Sequence, residues 1–112
     1  MITLSIILFA AAALVGLTIA IRIYQNKNTP LPVSLLHGFF AVAGITMLII
    51  YVSQRQQHSL VTNIVLFSIA ATGGIFLFVR DMLRKTLPKP VIIAHAGIAL
   101  LSFAILLFAV LG

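Results

Sequence analysis

Four runs of about 20 apolar residues, separated by short polar segments, restrict the fold of this chain more than any other feature. A helix needs about 20 apolar residues to cross the hydrocarbon core of a bilayer, and four stretches reach that length: residues 2–23, 33–52, 60–79 and 91–111. Only 7% of the residues are charged, whereas soluble domains carry about 25%. A soluble globular fold is therefore excluded, and the sequence predicts an all-α transmembrane protein.

The polar segments between the spans carry nearly all of the charge. Six of the seven Lys and Arg residues lie in or beside the first and third segments, residues 24–32 and 80–90, and the second holds only Arg55. Positively charged loops stay on the cytoplasmic side. We therefore expect loops 24–32 and 80–90 to be cytoplasmic, both termini to be outside and the membrane to be a bacterial inner membrane. The lipid bilayer is the expected partner, and the cations are too few to indicate a nucleic-acid partner.

The chain is an internal duplication. Shifting the sequence against itself by 58 residues aligns its halves without a gap, and the match includes residue types that apolar bias does not produce. These matches pair Arg22 with Arg80, Lys27 with Lys85, Pro30 with Pro88, Pro32 with Pro90, Gly16 with Gly74 and His37 with His95. The sequence thus predicts one membrane domain, residues 1–112, built from two tandem two-helix repeats, 1–58 and 59–112. Such repeats favour an up-down four-helix bundle with a pseudo-two-fold axis along the membrane normal.

Two histidines lie inside the predicted spans, where ionisable residues are costly and usually functional. His37 and His95 each follow a proline by five residues, so each lies roughly 7–8 Å into its helix. A single histidine in this position is typically neutral and bonded to a carbonyl of a neighbouring helix. Two at one level favour a shared ligand, and histidine is the commonest metal ligand.

Glycines and arginines flank the histidine level in both repeats. Gly16 and Gly74 lie near that depth, and Arg22 and Arg80 lie about a turn and a half closer to the cytoplasm. The glycines either allow close helix packing or leave room for a flat ligand. The arginines either anchor the helices at the interface or bind carboxylates such as haem propionates.

The element that opens the second span, P-V-S-L-L-H-G from Pro32 to Gly38, carries a family resemblance. It resembles small bacterial four-span proteins with a P-x-x-x-L-H-G element, and the architecture resembles the four-helix cores of membrane b-type cytochromes. The resemblance implies one haem b with His37 and His95 as axial metal ligands. It also implies electron transfer, to a quinone or a redox partner protein, or haem handling.

Other functions stay open. The chain has no cysteine and a single acid, Asp81, so thiol chemistry and paired-carboxylate catalysis within one chain are excluded. No catalytic set is visible, and enzymatic activity other than electron transfer is not indicated. The alternatives are a structural or accessory subunit without a cofactor, whose histidines bond between helices, and a small transporter or metal-binding protein. Small residues on outward faces would favour a homodimer.

Overall fold

Four long α-helices make up most of the chain in the computed structural model, which describes residues 2–56 and 58–111. They are α1 (Ile2–Tyr24), α2 (Leu31–Arg55), α3 (Val61–Met82) and α4 (Lys89–Leu111), and one 3-10 turn, His58–Leu60, precedes α3. The described residues form no strand. All four helices are long and apolar enough to cross a membrane. The predicted all-α class with four membrane-spanning helices is therefore confirmed.

The helices extend slightly beyond the predicted spans. Pro32 and Pro90 lie in the first turns of α2 and α4 rather than before them, because the first N–H groups of a helix have no intrahelical partner that a proline would remove. The first hydrogen bonds of these helices run from the N–H groups of Val33 and Val91 to the carbonyls of Pro30 (3.0 Å) and Pro88 (3.1 Å).

The chain folds as two compact units, Met1–Leu48 and Ile49–Gly112. In the first unit α1 and the beginning of α2 form an antiparallel hairpin. Gly16 lies against His37 near the connecting loop, and Phe9 lies against Gly44 further from it. In α1 the buried residues are Ser5, Phe9 and Ala12. Their spacing of four and three residues places them on one helix face.

The second unit contains the hairpin of α3 and α4, built in the same way. The buried residues of α3 are Asn63, Phe67 and Ala70, each 58 residues after a buried residue of α1. Gly74 lies against His95, and Leu106 of α4 is fully buried, as is Leu48 of α2. The predicted two-helix repeat is thus visible in the packing of each hairpin.

The connections within the two hairpins have the same backbone structure, which ends α1 and α3 in a Schellman motif. The N–H of Lys27 bonds to the carbonyl of Arg22 at 2.9 Å, and the N–H of Lys85 bonds to that of Arg80 at 2.9 Å. The residue before each lysine adopts a left-handed conformation, as this motif requires.

Candidate functional site: paired histidine–glycine contacts

Each histidine within a span is bonded to the backbone of its partner helix. The distance from Nδ1 of His37 to the carbonyl oxygen of Ala12 is 2.8 Å, and the distance from Nδ1 of His95 to that of Ala70 is 2.6 Å. A carbonyl oxygen only accepts, so Nδ1 carries the hydrogen and donates it. Both bonds span 25 residues and they recur at the repeat offset, since both partners shift by 58 residues.

The glycines of the site make room for these imidazole rings. A Cβ atom built on Gly16 would lie 2.9 Å from Cε1 of His37, and one built on Gly74 would lie 2.9 Å from Cε1 of His95. Real Cβ atoms essentially never approach another atom so closely. Each hairpin therefore contains the same three-part unit: a histidine ring, a glycine against which the ring packs, and a carbonyl that accepts a hydrogen bond from Nδ1. We call this unit the histidine brace.

Arg22 and Arg80 hold the loops that follow their helices. Nε and Nη2 of Arg22 donate to the carbonyl oxygen of Asn28 at 2.9 and 2.7 Å. Nε of Arg80 donates to the carbonyl oxygen of Thr86 at 2.9 Å, and its guanidinium lies 5.8 Å from the centre of the Phe76 ring. Both arginines therefore bind carbonyl groups six residues further along the chain.

A buried polar pair, Asn63 and Ser102, distinguishes the hairpins, and neither residue was among the candidate site residues. The amide nitrogen of Asn63 donates to the carbonyl oxygen of Ser102 at 2.6 Å, and the hydroxyl of Ser102 donates to the carbonyl oxygen of Asn63 at 3.2 Å. The equivalent residues of the first hairpin are Ser5 and Gly44. The sequence signal that could have found this pair is the presence of two polar residues, Asn63 and Ser102, inside predicted apolar spans.

The brace also determines how each histidine could serve as a ligand. Because Nδ1 donates to a carbonyl, a neutral imidazole has its lone pair on Nε2, and metal-binding histidines in proteins are commonly oriented by this bond. Among the described residues no group of three or more His, Cys, Asp or Glu side chains could hold a metal ion. The two histidines therefore have the same donor arrangement, each within its own hairpin.

Comparison with protein-family models, with curated proteins and with solved structures found no match to this chain. Fold and composition together define the class: a multi-pass α-helical membrane protein with an internally repeated two-helix hairpin and one histidine brace in each repeat.

Proposed function

We propose that this chain is a structural membrane protein, an accessory subunit of a larger membrane assembly, in which the histidines brace the hairpins. The observation that carries the proposal is the bond from Nδ1 of His37 and His95 to the carbonyls of Ala12 and Ala70. It gives both intramembrane histidines a role within their own hairpins.

The glycines support the same role. The space above Gly16 and Gly74 is filled by the imidazole rings, so these residues serve the close approach of two helices, as small residues do in membrane proteins. Many large apolar side chains on all four helices remain exposed. They suit contact with lipid or with apolar helices of partner subunits.

Replacing His95 by alanine tests the brace. We expect the free energy of unfolding in detergent to fall by about 1–2 kcal/mol, because an interhelical hydrogen bond and the ring contact over Gly74 are both lost. The same change at His37 should have a similar effect. His58→Ala is the matched control, because His58 is exposed in the loop before α3 and should leave stability unchanged. If His95→Ala and His37→Ala were as stable as the wild type and the His58→Ala control, the brace would be contradicted.

The accessory role predicts that the tagged protein, expressed at its natural level and extracted in mild detergent, migrates with a complex much larger than 12.1 kDa. Migration as a monomer or a homodimer alone would contradict a role in a larger assembly.

A second candidate function is a b-type haem protein, and the orientation of the histidines favours it. His37 and His95 would hold one haem through Nε2, with Nδ1 fixed by the carbonyls of Ala12 and Ala70. The haem would supply one-electron transfer, with a quinone or a redox protein as partner. In this function Arg22 and Arg80 would have to exchange their loop carbonyls for the propionates.

The visible absorption spectrum of the detergent-purified protein, supplied with haem, tests the second candidate. Bis-histidine haem would give a sharp Soret band and split α and β bands after dithionite. His37→Ala and His95→Ala should each abolish that spectrum, whereas His58→Ala should preserve it. A flat spectrum, or one that survives the loss of both intramembrane histidines, would eliminate the haem function and leave the structural one.

For either function we propose a bacterial inner membrane, with both termini outside and loops 24–32 and 80–90 cytoplasmic. The distribution of Lys and Arg between the loops supports this orientation. A reporter enzyme that functions only outside the cytoplasm should be active when it is fused after residue 112.

A further inference from the structure

The loop between α1 and α2 and the loop between α3 and α4 share one backbone structure but differ in charge. In both, an arginine at the helix end binds the carbonyl six residues later, and the Schellman bonds coincide. The first loop has Asn26 and Leu31 where the second has Arg84 and Lys89. The duplication thus provides a version of the same loop with fewer cations as an internal reference.

Arg84 occupies a position that does not favour arginine. Its φ is 56°, and Asn26 has φ 58° at the equivalent position. Glycine and asparagine adopt this left-handed conformation readily, whereas other residues meet a cost of about 1–2 kcal/mol. A positive charge near the C-terminus of α3 interacts favourably with the helix dipole, which offsets part of that cost. Strain of this kind points to a function of the residue that introduces it.

Lys89 also occupies an unfavourable position. It is the first residue of α4, where the helix dipole is positive and repels a cation. The equivalent residue of α2 is the uncharged Leu31. The second loop therefore carries two more cations than the first, and both stand at positions where local structure favours another residue.

The surroundings of these cations fit a membrane surface. Arg84 and Lys85 are exposed, and the apolar side chains just before them, Met82 and Leu83, are 50% and 59% exposed. Exposed apolar residues followed directly by cations match the boundary between acyl chains and headgroups. Arg80 is held by Thr86 and by Phe76, so its part is to shape the loop.

We propose that the loop between α3 and α4 binds the phosphodiester headgroup of an anionic phospholipid through Arg84, Lys85 and Lys89. The apolar side chains of Met82 and Leu83 would contact the upper acyl chains. Asp81 reduces the net charge of this region, but it lies on α3, before the three cations. The loop between α1 and α2 has Lys27 but lacks the other two cations, and it would bind such a headgroup weakly.

The test transfers residues between equivalent positions of the two loops. Native mass spectrometry of the full chain, titrated with phosphatidylglycerol or phosphatidylcholine, measures the lipid retained. We expect Arg84→Asn and Lys89→Leu each to weaken phosphatidylglycerol binding about fivefold, as removal of one cation from a membrane surface does. Phosphatidylcholine binding should not change. The introduced residues already stand in the first loop, so the variants should fold.

The reverse transfer and a control on another loop complete the experiment. Asn26→Arg combined with Leu31→Lys should add a second phosphatidylglycerol site, and Arg55→Gln should change nothing. Unfolding temperature and the C-terminal reporter confirm that fold and orientation are kept. Equal phosphatidylglycerol binding by the wild type and the Arg84→Asn/Lys89→Leu double variant would overturn the proposal. Equal losses for phosphatidylcholine would also overturn it, because the site would then not recognise charge.

Discussion

Gly74→Ala is expected to lower the free energy of unfolding by about 1–3 kcal/mol, the usual cost of overpacking a well-packed site. The new methyl group would lie 2.9 Å from Cε1 of His95. The ring cannot simply turn away, because its Nδ1 is bonded to the carbonyl of Ala70. Either the bond breaks or α3 and α4 move apart. Reversible unfolding in mixed micelles measures the loss.

Gly97→Ala is the matched control for this prediction. Apart from its chain neighbours and the backbone of its own helix, nothing lies within 4 Å of a Cβ built on Gly97, so the methyl group enters open space. Stability should stay the same or rise by up to about 1 kcal/mol, since alanine has the higher helix propensity. If the control destabilises the protein as much as Gly74→Ala does, the contact with His95 is not the cause.

A double variant separates the ring contact from other effects of the methyl group. With His95→Ala already present, Gly74→Ala should cost little, because the atom it would strike is gone. The two losses should therefore be strongly non-additive, as expected for residues in contact. Additive losses would contradict the histidine brace as a unit.

Leu106→Ala is expected to lower the free energy of unfolding by about 2–4 kcal/mol, the range for truncating a fully buried leucine. Leu106 has an exposure of 0%. In a bilayer the hydrophobic effect does not hold helices together, so the loss consists of packing contacts that surround the side chain. The same measurement in micelles applies, and Leu48→Ala in the first repeat, also at 0% exposure, should behave alike.

Leu101→Ala controls for the change in side-chain volume. Leu101 lies on the same helix but is 55% exposed, so detergent or lipid replaces the lost contacts. Its effect should stay within about 0.5 kcal/mol. A comparable loss at both positions would show that the burial of Leu106 does not determine stability.

The helix interface of each hairpin contains two levels of polar or small residues. The histidine brace lies toward the connecting loop, and the second level contains Ser5 and Gly44 in one hairpin and Asn63 and Ser102 at the equivalent positions of the other. The first level is identical in both repeats, and the second has changed. The repeats thus retained the histidine, the glycine and the alanine carbonyl together, as expected if the three act as one unit.

The residue pattern was sufficient for the number, length and pairing of the helices. Hydropathy along the chain located four spans, because length and apolar character alone decide whether a helix can cross a bilayer. The offset of 58 residues located the repeat, because matched Arg, Lys, Pro, Gly and His residues need no structure to be recognised. Both properties depend only on which residue occupies each position along the chain.

The partners of those residues depended on tertiary structure. The sequence selected His37 and Gly16 but left open whether the glycine served a flat ligand or helix packing. In the structure the imidazole itself lies over the glycine. It selected Arg22 without indicating the carbonyl of Asn28. The burial of Ser5 and Asn63 was likewise not evident.

The physical reason is that a side chain's partner depends on helix rotation and on backbone groups distant in the chain. A carbonyl is present at every residue, so nothing in the sequence marks Ala12 rather than Ala13 as the acceptor for His37. The choice follows from the angle at which α1 and α2 pack, and that angle is set by all side chains at their interface at once. The sequence by itself determined which elements form and repeat, and the packed hairpins decided which groups meet.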